Sequence, residues 1–262
     1  TPAAEAARNR GMFMINRVLT VLLACLFAGA VVSARAADPV PADVADSLRQ
    51  MLESPADGLK VATIEPSEIE GMYAVQLVDG PLVYASRSGQ FFIVGDLFTV
   101  GPAGYVNLAE KRRDGERAER LATLSPADMI IFPAKGETRS HITVFTDVTC
   151  FYCQKLHREV PELNKRGVEV RYLAYPRSGL ASEGYRKLAT AWCANDRADA
   201  LTRLKNGESV AENVCQGSPV ADQYQLGQSM GVRGTPAIIT ASGQMIPGYQ
   251  PADELMGTLG LQ

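Results

Sequence analysis

Histidine is almost missing from this chain: two residues, His141 and His157, in 262. A histidine-built metal centre has little to draw on. Tryptophan occurs once, and aromatic residues make up 7%. An excess of either charge is also lacking. The formal net charge is -3, which gives no electrostatic reason to expect nucleic-acid binding. There is no internal repeat and no low-complexity tract. Hydrophobic residues at 46% and charged residues at 21% exclude a disordered or collagen-like protein. What remains is an ordinary globular chain, long enough for one or two domains at roughly 150 residues each. The five cysteines are the most informative count.

The one conspicuous apolar run, Val18 to Val32, follows Arg8, Arg10 and Arg17 and precedes Ser33-Ala34-Arg35-Ala36. A basic start, about 15 apolar residues and an Ala-x-Ala cut site describe a secretory signal peptide. The run is shorter than the ~20 residues of a membrane span. An uncleaved anchor is one alternative. Lipidation at Cys25, in Leu22-Leu23-Ala24-Cys25, is another, although the apolar run continues past it. Residues 1–36 are therefore expected to be a signal peptide and upstream extension, with initiation at Met12 or Met14. From Asp38 on, 22 basic residues face 28 acidic ones, and Cys150, Cys153, Cys193 and Cys215 remain. An even number in an exported chain favours disulfides.

Apolar residues at Val44, Leu48, Met51 and Leu52 predict a short amphipathic helix within 40–53. Short β-rich runs follow at 60–64, 72–77, 82–85 and 90–94, punctuated by Asp79-Gly80 and Ser88-Gly89. One helix and a small antiparallel sheet make a marginal core, so this region, 37–100, is expected to meet a partner, most simply a second copy. Gly101-Pro102-Ala103-Gly104 reads as a breaker. Tyr105 to Leu124 reads as a solvated linker helix, softened at Gly115, within a linker spanning 101–124. A second domain, 125–262, shows a strand at 142–145, a helix at 150–165 capped by Gly167, and a strand at 168–174. Helical segments at 183–206 and 220–230, a hairpin at 237–246 and a helix at 252–259 complete it. The class is α+β, a sheet covered by helices.

Cys150-Phe151-Tyr152-Cys153 carries the chemistry. Two cysteines at i and i+3 at a helix start can close a disulfide. The first sits where backbone N–H groups and the positive helix end favour a thiolate. The second is a turn inside and shielded. Cys150 is thus the predicted nucleophile and Cys153 the predicted resolving thiol. Zinc would need two further ligands, which neither Cys193 and Cys215 nor the two histidines supply at the required spacing. Cys193 and Cys215 then pair by elimination. Closing 22 residues stabilises by roughly 3 kcal/mol on the chain-entropy model. Phe151 and Tyr152 shape an apolar rim or simply pack. Asp147 is read as a turn former before a tuning group, and His157 as a surface residue. Thr235-Pro236 opens a strand, and nothing local decides its isomer.

The segment His141-Ile142-Thr143-Val144-Phe145-Thr146-Asp147-Val148-Thr149-Cys150-Phe151-Tyr152-Cys153-Gln154-Lys155-Leu156-His157 resembles the active-site segment of bacterial periplasmic disulfide-bond isomerases, the DsbC family. So do Val170-Arg171-Tyr172-Leu173-Ala174-Tyr175-Pro176-Arg177, Ala191-Trp192-Cys193, Gly234-Thr235-Pro236-Ala237 and Pro247-Gly248-Tyr249. The resemblance implies a cystatin-like N-terminal dimerisation domain, a linker helix and a thioredoxin-like catalytic domain with a helical insertion. It implies a periplasmic homodimer with chaperone-like binding of misfolded, disulfide-containing exported proteins. It implies a cis Pro236 beside Cys150, a structural Cys193–Cys215 bridge, a membrane reductase of the DsbD type as partner, and no cofactor beyond the cysteine pair. Phe151 departs from the glycine most frequent there. Rival readings are a DsbG-like reductase of sulfenylated proteins and a chaperone without redox activity.

Overall fold

Val44, Leu48 and Leu52 recur one turn apart and are the buried face of α1 (Ala42–Leu52). They pack on Val75, Leu77, Val83 and Ala85 in a sheet ordered β1 (Val61–Pro66), β2 (Met72–Leu77), β3 (Leu82–Ser86), β4 (Phe92–Val94). Every pair in it is antiparallel. The β3–β4 turn runs close beneath the helix. Gly89 has φ +71°, and a Cβ there would lie 2.7 Å from Met51 Cβ. Strand β4 is an edge, and Phe92, Ile93 and Val94 are all exposed.

The computed structural model describes residues 39–53, 58–78, 80–102 and 104–261. The expected signal segment at 1–36, with Cys25, lies outside the described residues, as do Asp79 and Ala103 of two expected turns. The chain divides into two compact units between Gly95 and Asp96. Among the described residues no helix is long and apolar enough to cross a membrane.

The second unit opens with a hairpin, β5 (Phe98–Gly101) and β6 (Gly104–Asn107). The expected breaker at 101–104 therefore joins two strands, and the linker expected over 101–124 is helical only as α2 (Leu108–Ala122). Val100 pairs with Tyr105 and Thr99 with Val106, β-favouring residues that hold this stretch extended. Asn107 then caps α2, its side chain accepting from the Glu110 N–H at 2.9 Å. The helix continues through Gly115. Nor is it solvated all round. Arg117 is 5% exposed, donates to the Gly243 carbonyl at 2.8 Å, and pairs with Glu110 and Asp114.

The main sheet has five strands in the order β11 (Met245–Pro247), β10 (Ala237–Thr240), β8 (Ser140–Thr146), β9 (Val168–Ala174), β7 (Ile130–Phe132). β8 and β9 are parallel, and the other pairs are antiparallel. The β8–β9 crossover is α3 (Phe151–Lys165), which ends before Gly167 at φ +85°. Alternation along the strands feeds two cores. Val144, Val170, Tyr172 and Ile238 enter one; Phe145, Leu173, Ala237 and Ile239 enter the other. The expected helical stretch 183–206 is two helices, α4 (Glu183–Trp192) and α5 (Arg197–Lys205), because Asp196 starts a new cap by accepting from Asp199 N–H. Helices α6 (Val220–Ser229) and α7 (Ala252–Thr258) complete the cover.

Candidate active site

Strand β8 ends at Thr146, and a three-residue loop delivers Cys150 as the N-cap of α3, with φ -87° and ψ 119°. No acidic residue occupies the first turn of α3, so the unpaired N–H groups and the positive helix end face the Cys150 side chain unopposed. Cys153 lies one turn in and is fully buried, while Cys150 is 3% exposed. Both are free thiols. The loop before β10 approaches from the other side. The Cys150 thiol donates to the Thr235 carbonyl at 3.2 Å, and the Thr235–Pro236 peptide bond is cis. Phe151 and Tyr152, the next two residues in the chain, are 63% and 56% exposed, with ring centroids 5.5 Å apart.

The two sulfurs have opposite electrostatics. Cys150 is drawn down from 9.0 to about 5, chiefly by a hydrogen bond from the Cys153 thiol, which outweighs the cost of burial. The Cys153 N–H, Thr235 and the positive charge of Arg177 act in the same direction. Cys153 is pushed up, first by burial and then by that same hydrogen bond. One sulfur is thus poised as an anion and its neighbour as a thiol. The arrangement can attack a disulfide and hold back a second nucleophile.

Other residues singled out in the sequence fall as follows. Cys193 and Cys215 are joined in a disulfide with Cα atoms 5.7 Å apart, at the end of α4 and away from Cys150 and Cys153 in sequence. Asp147 is a turn former. Its Oδ1 accepts from the Thr149 N–H and hydroxyl, its Oδ2 accepts from the Arg177 N–H, and its own N–H points at Cys153 Sγ, 3.5 Å away. The surface reading of His157 is wrong. It is 7% exposed, its Nδ1 lies 3.0 Å from Tyr172 Oη and its Nε2 lies 3.0 Å from Thr202 Oγ1. It follows Cys153 by four residues, so the shielding inferred for one held for the other. Two contributing residues were missed, Arg177 and Lys205. Arg177 ends the Val170-to-Arg177 segment that resembles the family, yet nothing in the sequence marks its role. Among the described residues no cluster of three His, Cys, Asp or Glu side chains is placed to hold a metal ion.

Residues 126–261 match the thioredoxin-like domain family, and residues 35–110 match the disulfide bond isomerase protein N-terminal domain. The chain is 38% identical over 198 residues to the thiol:disulfide interchange protein DsbC of Escherichia coli strain K12, covering 76% of this chain and 80% of that protein. The chain belongs to the DsbC family. Haemophilus influenzae DsbC is 36% identical over 193 residues, covering 73% of this chain and 81% of that one. A linker-deletion variant of Proteus mirabilis ScsC superposes with a TM-score of 0.50 at 16% identity, covering 58% of this chain and 83% of that one, which speaks to the fold alone. As a DsbC-family member the protein is a thiol:disulfide interchange enzyme with an α+β architecture, a family N-terminal domain and a thioredoxin-like C-terminal domain.

Proposed function

We propose that the protein isomerises and reduces non-native disulfides in exported proteins. The Cys150 thiolate attacks one sulfur of a wrong disulfide. A Cys150–substrate bond forms, the substrate S–S bond breaks, and the other substrate sulfur leaves as a thiolate. If a substrate thiol then displaces Cys150, the client holds a new pairing and no net electrons move. If Cys153 displaces it, the client is reduced by two electrons and Cys150–Cys153 is oxidised, so a membrane reductase of the DsbD type must restore the dithiol. A 270 Å³ groove lined by Arg233, Thr235, Met245 and Pro247 adjoins the sulfur through Thr235 and suits a client side chain. The observation that carries the reading is the depressed Cys150 thiol at the tip of α3, backed by a buried Cys153 that stays protonated.

A periplasmic location and a homodimer built on the N-terminal unit go with this reading. The dimer is supported by strand β4, whose outer edge pairs with no strand among the described residues and whose Phe92, Ile93 and Val94 are exposed and apolar. Replacing Ile93 with Lys should give a monomer in sedimentation velocity, whereas an unchanged sedimentation coefficient refutes assembly through β4. For the chemistry, Cys150→Ala should abolish refolding of a scrambled multi-disulfide protein. Undiminished refolding by that variant overturns the proposal, and suppression of aggregation with no thiol exchange in the wild type would point to a binding chaperone instead.

A further inference from the structure

In the proposed mechanism Cys153 must lose a proton at a site with no solvent exposure, where a bare thiolate is heavily penalised. Lys205, the last residue of α5, is 2% exposed. A buried ammonium brings three donors that need partners. Its Nζ donates to Thr146 Oγ1 at 2.7 Å, and the Tyr172 ring centroid lies 5.2 Å away. Thr146 ends β8. The next residue, Asp147, aims its N–H at the Cys153 sulfur. The ammonium and the resolving sulfur are therefore held by consecutive residues inside the core, one by the Thr146 hydroxyl and the other by the Asp147 N–H.

The ionisable groups around Lys205 narrow what it serves. Tyr172 of β9 and His157 of α3 bond to each other. Burial holds Tyr172 well above its usual range and His157 down to about 3, so both are neutral. Asp147, in the loop after β8, has its carboxylate oxygens engaged by Thr149 and Arg177. The remaining groups are the thiols of α3. Burial draws Lys205 down to about 8, and the sulfur of Cys153 is the largest influence opposing it, ahead of Asp147 and then Cys150. Reciprocally, Lys205 favours the thiolate of Cys153.

We propose that Lys205 is a positioning residue for the resolving step, its buried ammonium holding Cys153 as a thiolate while that sulfur attacks the mixed disulfide. The step rests on the mechanism proposed above. Cys153 gives up its proton to solvent and its sulfur bonds to Cys150 Sγ. The Cys150–substrate bond breaks, and the departing substrate thiolate takes up a proton. Lys205 keeps its own proton throughout. By speeding resolution from within the enzyme, it biases each encounter toward reduction of the client and away from displacement by a second client thiol.

Reaction of the reduced full chain with Ellman's reagent separates the steps. Attack by Cys150 releases one thionitrobenzoate, and resolution by Cys153 releases the second. In Lys205→Met the first phase should stay within about twofold of wild type, while the second slows at least about tenfold at pH 7 and its pH profile moves to higher pH. A packing defect alone would slow the second phase without moving its profile. Lys205→Gln keeps a donor for Thr146 and should shift the profile likewise, which covers failure of the Met variant to fold. A second phase with wild-type rate and profile in either folded variant overturns the role of Lys205. Absence of the first phase in the wild type overturns the underlying mechanism instead.

Discussion

A thiol drawn from 9.0 down to about 5 should leave a distinct signature in its alkylation. At pH 7 such a group is about 99% thiolate against about 1% for an ordinary cysteine, roughly a hundredfold gain. Its sulfur is a weaker nucleophile, however. A Brønsted slope of about 0.45 over four pKa units costs about 60-fold in intrinsic rate. The two nearly cancel, so at pH 7 Cys150 should react with iodoacetamide only about twice as fast as a plain thiol. At pH 6 the thiolate ratio approaches 900-fold and the net advantage grows to about 15-fold. The large benefit of the low value is then as a leaving group, when a second thiol displaces Cys150. The assay is the second-order alkylation rate of the reduced chain between pH 3.5 and 9, followed by mass shift at Cys150. The rate should be flat above about pH 6 and fall about tenfold per unit below pH 5. In Cys153→Ala, which removes the principal hydrogen bond to the sulfur, the inflection should move up. A wild-type rate that keeps climbing tenfold per unit from pH 6 to 8 would refute the electrostatic account of the helix tip.

Three further outcomes test the frame around the site. His157 is held down to about 3. Since the unfolded chain protonates near pH 6.5, stability is full above that value and is lost as pH falls toward 3. About 2 kcal/mol should disappear between pH 7 and pH 5 in urea titrations, and His157→Gln should flatten that slope. Gly243→Ala puts a Cβ 1.7 Å from the Asp114 carbonyl oxygen at a φ of +85°, so thermal unfolding should show a loss of at least about 2 kcal/mol. An unchanged Tm would mean that α2 does not rest on the β10–β11 turn. Replacing Cys193 and Cys215 together with Ala should cost about 3 kcal/mol yet leave the rate of thiol release from Ellman's reagent intact; a lost first phase would give that bridge a redox role.

The most legible parts of the fold were those written in local spacing. The Cys150 N-cap followed from an i, i+3 pair leading a helix pattern, and the β8–α3–β9 crossover followed from a β-rich run, a periodic run and Gly167. Gly101-Pro102-Ala103-Gly104 misled because the same residues that stop a helix also turn a hairpin, while the Asn107 to Glu110 spacing already marked where α2 begins. Arg117 was hidden by its charged neighbours, since only the tertiary approach of Gly243 buries it. Lys205 was out of reach for the same reason. It stands 52 residues beyond Cys153 in sequence, and nothing in a helix ending in Lys distinguishes a solvated terminus from one folded over a sulfur. His157 was legible and was misread, because its heptad neighbours Cys153, Leu156 and Val160 already outlined the buried stripe.

If Cys150 is the attacking sulfur, as proposed, its 3% exposure also sorts what can be cut. A recessed atom admits a narrow, pliant strand and turns away a broad rigid face. Bridges sealed inside correctly folded molecules are thereby spared, and a potent sulfur can circulate among finished proteins without dismantling them.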